Sequence, residues 1–100
     1  MDAQLAGPQA HSSAKDLIKV SGTSRTAAVA GAIAGVFREY KHAEIQAIGA
    51  GAVNQSVKAL VLATGYLKED GITVAFIPEF ADVTIEDKIR TAIKLVIEPR

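Results

Sequence analysis

The stretch AEIQAIGAGAVNQSVKALV, residues 43–61, decides the fold. Its first half alternates apolar and polar residues around Ile45, as a strand with one buried face does. Its second half spaces apolar residues three or four apart, as one side of a helix does. That side carries Val53, Val57, Leu60 and Val61, and the other side carries Asn54, Gln55 and Lys58. We therefore predict a strand over 43–48, a turn at Gly49-Ala50-Gly51 and a helix after it.

A second unit of the same kind precedes it. Residues 16–21 alternate as a strand, and the turn over 22–26 offers Thr23 or Ser24 as a helix N-cap. A helix over 27–40 then carries one apolar stripe: Val29, Ile33, Val36, Phe37 and Tyr40. Gly31 and Gly35 lie inside this helix, where each costs about 1 kcal/mol relative to Ala. We predict that they let the helix pack closely against the sheet or the second helix.

The last third of the chain reads as two strands. Residues 72–77 form the third, and Pro78 indicates an edge, a bulge or a strand end, with 80–84 as a continuation. A hairpin turn at 86–88 leads to a fourth strand over 90–97. The order β-α-β-α-β-β predicts an α/β protein of the α+β two-layer sandwich type, with two helices on one face of a four-stranded sheet.

The open face of that sheet would be only partly polar, because Ala92 and Val96 flank Lys94 on it. Such a surface on so small a domain predicts a homodimer. Residues 1–14 mix Gly, Pro, Gln, Ser and His without periodicity and predict a disordered leader before a single domain over 15–100.

Composition excludes several classes of site and indicates a compartment. The chain has no cysteine, which excludes disulfides, thiolate zinc sites and cysteine nucleophiles. Its beginning lacks the basic start and apolar core of a signal peptide, and no apolar run approaches the roughly 18 residues of a membrane span. These features predict a cytoplasmic protein without a membrane partner.

The charges sum to zero but are unevenly distributed. Residues 15–68 hold seven basic and three acidic side chains, whereas residues 69–100 hold four basic and seven acidic ones. Ordinary surface scatter is one interpretation. The other is a mildly basic face that attracts a polyanion.

The glycine turn is a weak match to nucleotide-binding motifs. Gly49 and Gly51 resemble the start of a dinucleotide fingerprint, but Asn54 stands where its third glycine belongs, and no P-loop is present. The turn nevertheless places backbone amides at a helix N-terminus, where they can bind one phosphate or a small ligand. The alternative interpretation is a tight bend without a ligand.

The first turn has the same character, with hydroxyl side chains and Arg25 before a helix. If the two strands are adjacent, both helix starts face the same way and can engage one nucleic-acid backbone. The candidate contacts are Lys19, Arg25, Gly49, Gly51, Asn54, Gln55 and Lys58, although any single lysine can equally be a solvated charge.

Catalysis has little support. The two histidines, His11 and His42, have no partner at metal-ligand spacing, and nothing resembles a nucleophile elbow. The prediction is a binding protein with no catalytic residues, no metal and no cofactor.

Long runs of the chain resemble a known family. Residues 19–22 (KVSG), 28–35 (AVAGAIAG), 43–59 (AEIQAIGAGAVNQSVKA), 76–80 (FIPEF) and 90–100 (RTAIKLVIEPR) are similar to stage V sporulation protein S, from about residue 16 to the end. That family resembles the Alba superfamily of small chromatin and RNA-binding proteins, whose element order is the one predicted above.

The resemblance implies a dimeric DNA- or RNA-binding regulator of sporulation or a related developmental programme. This sequence departs from archaeal chromatin Alba, whose two strand-to-helix turns are rich in basic residues, because only Arg25 is charged here. Fewer neutralised phosphates imply weak rather than chromatin-like binding. The alternative is a protein-interaction module that docks a partner through its sheet or its acidic hairpin, without nucleic acid.

Overall fold

The computed structural model describes residues 15–100, which form the predicted β-α-β-α-β-β order. The elements are β1 (Leu17–Val20), α1 (Thr26–Tyr40), β2 (Ala43–Ala47), α2 (Ala50–Glu69), β3 (Val74–Ile85) and β4 (Lys88–Pro99). The strands lie in the order β1-β2-β4-β3, with β1 parallel to β2 and the other pairs antiparallel. The predicted leader, residues 1–14, lies outside the described residues.

Both helices cover one face of the sheet, which confirms the two-layer prediction. Ile45 alternates with Glu44 and Gln46 as expected, its own side chain being fully buried and the other two half-buried. The core between the layers includes Ile33, Phe37, Ile45, Leu67 and Ile97. In the part of the chain that the structure describes, neither helix has the length and hydropathy needed to cross a bilayer.

The buried face of α2 differs from the predicted one. Small residues and two leucines face the core: Ala52, Ser56, Ala59, Leu60, Ala63 and Leu67. Val57 and Val61 are instead 47% and 66% exposed. The prediction is confirmed for Leu60 but was wrong for these two valines, because it followed the largest apolar side chains, whereas alanines let α2 lie close to α1 and the sheet. The valines are left as an apolar flank.

The two glycines of α1 also behave differently from the prediction. Gly31 and Gly35 are exposed, and a Cβ at either position would meet nothing within 4 Å. Close packing therefore does not explain them within this chain. Their lower helix propensity is a cost that the described fold does not offset.

We expect the Gly31→Ala, Gly35→Ala double variant to be more stable than the wild type. Each change gains about 1 kcal/mol of helix propensity and creates no clash, so urea unfolding should give a free energy higher by about 1–2 kcal/mol. Gly71→Ala is the matched control, because the space around Gly71 is equally open but its φ is +76°. The control should lose stability, and a double variant that also lost stability would contradict this explanation.

Gly71 ends α2 in a Schellman motif. The amide of Ile72 donates to the carbonyl of Leu67, and that of Gly71 donates to the carbonyl of Lys68. The helix thus ends at Glu69, just before this motif.

Strands β3 and β4 form a hairpin that extends beyond the rest of the sheet. Pro78 does not break β3, because β3 is an edge strand, one of the alternatives predicted from that proline. Glu86 and Asp87 both have positive φ and form a two-residue turn within the predicted 86–88, and Lys88 is already the first residue of β4. Since the last residue of β2, Ala47, pairs with Ile93, the hairpin continues for about five residues, or about 17 Å, past the end of β2.

Candidate nucleic-acid interface

The two strand-to-helix turns lie against each other. Because β1 and β2 are parallel neighbours, α1 and α2 begin at the same edge of the sheet, as predicted for adjacent strands. A Cβ on Gly51 would lie 3.5 Å from the Cα of Gly22, so the two turns are in backbone contact. We call the surface formed by residues 21–25 and 48–51 the rim.

Gly49 has a backbone conformation that other residues avoid. Its φ of 93° and ψ of 158° lie in a region open essentially to glycine alone. One residue therefore turns the chain sharply from β2 into α2, and its carbonyl already accepts the Val53 amide of the helix. The glycine-rich stretch is thus a tight bend, and it also exposes backbone, because residues 49–51 are all exposed.

We expect Gly49→Ala to lower the free energy of unfolding by about 1–3 kcal/mol, since alanine is strained at this φ and ψ. Gly51→Ala is the control, because its methyl group would make only an ordinary van der Waals contact with Gly22. Chemical denaturation of both variants measures the difference. Equal stabilities would show that strain at Gly49 is not what requires a glycine.

Both helices begin without a capping side chain. The N-cap of α1 is Arg25, not the predicted Thr23 or Ser24, and neither it nor Gly49 makes a side-chain cap hydrogen bond. Ser24 is used inside the turn instead, where its hydroxyl accepts the amide of Ser21. Neither helix has an acidic residue in its first turn. The positive ends of two helix dipoles therefore lie side by side without a compensating carboxylate.

Gln55 holds the two helix starts together. Its side-chain nitrogen donates to the carbonyl oxygen of Ser24 at 2.7 Å and to the hydroxyl of Thr26 at 3.2 Å. Both of its amide hydrogens are thereby occupied. Of the predicted contact residues, Gln55 is the one whose donors point into the protein, and it positions the rim.

The other predicted residues fall into separate groups. Arg25, Gly49 and Gly51 lie on the rim itself. Asn54 and Lys58 are exposed on α2, with Lys58 about 12 Å further along the helix than Ala50. Lys19 lies on the open face of the sheet, beside Gln46 of β2. Among residues 15–100, Lys19, Arg25 and Lys58 form no salt bridge.

Lys19 shares a shallow cavity with a cation that the sequence reasoning missed. The cavity lies where β1 and β2 end and the β3–β4 hairpin continues, and Arg90 of β4 lines its far side. Strand periodicity places Arg90 on the same sheet face as Lys94. Only the strand order β1-β2-β4-β3, which the sequence does not reveal, brings Arg90 to the same cavity as Lys19.

Lys94, which also lies on the open face, is paired with carboxylates. The Nζ atom of Lys94 lies 3.9 Å from Oε1 of Glu44 and 3.5 Å from Oε1 of Glu79. These salt bridges connect β4 with β2 and β3. His42, which had no apparent partner in the sequence, lies 2.8 Å from a carboxylate oxygen of Asp16 and 3.7 Å from one of Glu44. Lys94 is therefore compensated by carboxylates, whereas among residues 15–100 Lys19 and Arg25 form no salt bridge.

The comparison with known families agrees with this architecture. The chain matches the family described as stage V sporulation protein S over residues 16–100, which is nearly the whole of the described structure. The matched region includes both strand-to-helix turns, both helices and the complete hairpin. The chain belongs to the stage V sporulation protein S family, and that membership implies a role related to sporulation.

Proposed function

We propose that this protein is a dimeric, non-enzymatic nucleic-acid-binding regulator that acts in sporulation or a related developmental programme. The observation that carries the proposal is the rim, where two uncapped helix starts and Arg25 lie side by side. Exposed backbone amides at residues 49–51 can donate to phosphate oxygens, and Asn54 and Lys58 extend the contact along α2.

The local charge favours a polyanion at the rim although the protein is neutral overall. Each helix start contributes about half a positive elementary charge, and no acidic residue of either first turn cancels it. Two acidic residues, Glu86 and Asp87, form the tip of the hairpin and repel phosphate there. A nucleic-acid backbone would therefore follow the rim and α2 rather than the tip of the hairpin.

The dimer part of the proposal rests on apolar surface that the fold leaves uncovered. Gln55 faces α1, so Val57 and Val61 lie on the flank of α2 that is turned away from α1. On β3 the helix-facing residue Phe80 is 81% exposed beside a cavity lined by Pro78 and Ile93. Exposed apolar surface of this kind on a small domain fits a second copy of the chain.

Fluorescence anisotropy with labelled DNA and RNA, across a salt series, tests nucleic-acid binding. For contacts to phosphates, the logarithm of the binding constant should fall linearly with the logarithm of salt concentration, by about 0.9 per phosphate neutralised on duplex DNA. The rim offers few cations, so we expect a shallow slope and weak binding at physiological salt. Binding that does not change with salt would contradict the proposal.

The hairpin favours a second candidate function, a protein-interaction module. It extends beyond the sheet and carries both Ile89, which is 74% exposed, and the acidic pair Glu86 and Asp87. Capture of a partner by this module should persist after nuclease treatment. It should be lost when both acidic residues are changed to lysine. Capture that nuclease abolishes would instead favour the nucleic-acid proposal.

A further inference from the structure

The cavity between Lys19 and Arg90 is a corner in the open face of the sheet. Strands β1 and β2 end where Ala47 pairs with Ile93, and only β3 and β4 continue beyond that point. Arg90 lies on this continuation, three residues from Ile93 toward the hairpin tip. The volume of about 380 Å³ falls within the range of about 300–1,000 Å³ that is usual for small-molecule sites. We call this cavity the corner pocket.

Its cations are uncompensated, unlike their neighbour on the same face. Lys94 is paired with Glu44 and Glu79, but among residues 15–100 neither Lys19 nor Arg90 forms a salt bridge. The two come from different strands and line one cavity. An anion between them would gain charge-assisted hydrogen bonds, and the guanidinium suits a phosphate in particular.

The remaining lining adds apolar side chains and hydrogen-bonding groups, and three of its residues, Ser21, Gly22 and Ile48, also belong to the rim. Ile48 and Ile85 supply the apolar part, and the side-chain amide of Gln46 can both donate and accept. A ligand that matches all three features has a phosphate, a flat and largely apolar body, and polar edges. A nucleotide has this combination, whereas a bare phosphate or an aliphatic acid lacks part of it.

We propose that the corner pocket binds one nucleotide, with its phosphate between Lys19 and Arg90 and its base against Ile48 and Ile85. This inference adds a nucleotide site to the proposed function. Binding of a nucleic-acid strand at this site rests on that function, whereas binding of a free nucleotide does not. A base stacked inside a duplex cannot enter the cavity, whereas a base in a single strand can. The site therefore gives preference for single-stranded nucleic acid over duplex, and the same chemistry admits a free nucleotide.

The test compares four probes on the full chain: a short single-stranded oligonucleotide, its duplex, adenosine 5′-monophosphate and adenosine. The single strand should bind at least about tenfold more tightly than the duplex, and the monophosphate should bind where adenosine does not. Arg90→Gln should weaken binding of the single strand and of the monophosphate about tenfold, because it removes a charged hydrogen bond. Lys88→Gln is the matched control, since Lys88 is exposed on the same face of β4 but does not line the pocket.

Arg25→Gln separates this proposal from the one on which it rests, because it changes the rim and leaves the pocket intact. The corner-pocket proposal would be overturned if the single strand and the duplex bound equally well and if Arg25→Gln, but not Arg90→Gln, weakened that binding. The proposed binding at the rim would then stand. Monophosphate binding that needs Arg90, without binding of either polymer, would keep the pocket and overturn the proposed function. Equal losses in Arg90→Gln and Lys88→Gln would overturn the pocket by revealing a general charge effect.

Discussion

The Arg25→Glu, Lys58→Glu double variant is expected to bind nucleic acid about 100-fold more weakly than the wild type. Reversing one charge about 4 Å from a phosphate costs on the order of 2 kcal/mol in water, and salt screening reduces the total for two such reversals. The salt slope should also become shallower by about 2 for each bound protomer, because two phosphate contacts are lost. Anisotropy titrations at several salt concentrations measure both quantities.

The control is Lys68→Glu, Arg100→Glu, which changes the net charge equally. Lys68 lies in the last turn of α2, and the Arg100 amide donates to Thr73 just before β3, so both lie at the opposite end of the molecule from the rim. We expect this variant to retain most of its affinity. Equal weakening of the two variants would mean that the overall charge, and not the rim, attracts the nucleic acid.

The predictable part of the fold depended on patterns that act locally. Alternation around Ile45 predicted β2, and the break at Gly49 predicted a helix after it, although α2 already begins at Ala50, inside the predicted turn. The error on α2 arose because tertiary packing, not side-chain size, selects the buried face. Alanines at 52, 59 and 63 pack closely against α1 and the sheet, and this displaced Val57 and Val61 from the core.

The candidate site was predictable only as far as neighbouring strands implied it. Parallel β1 and β2 place both helix starts at one rim, which followed from two strand-turn-helix units in succession. The role of Gln55 as a brace between the turns depends on exact side-chain geometry that periodicity does not contain. Arg90 joins Lys19 only through pairing of residues distant along the chain, so no local pattern identified it.

We expect the wild type to be a dimer and the Val61→Asp, Phe80→Asp double variant to be a folded monomer under the same conditions. Both side chains are largely exposed in the single chain, so the substitutions cost little folding free energy. In a dimer with twofold symmetry each substitution occurs twice, and each buried Val or Phe contributes about 1.5–3 kcal/mol. The dimer dissociation constant should therefore rise by a factor of about 1,000 or more.

Light scattering coupled to size-exclusion chromatography measures this directly, with the wild type at twice the chain mass of 10.5 kDa and the double variant at that mass. Leu62→Asp, Ile85→Asp is the matched control, because it places the same charges on exposed apolar residues of α2 and β3 that lie away from the proposed interface. It should remain a dimer. A wild type that is monomeric at high concentration, or a Val61→Asp, Phe80→Asp variant that still dimerises, would exclude this surface as the interface. The proposed binding would then have to arise from a single rim, with the shallower salt dependence that half the phosphate contacts imply.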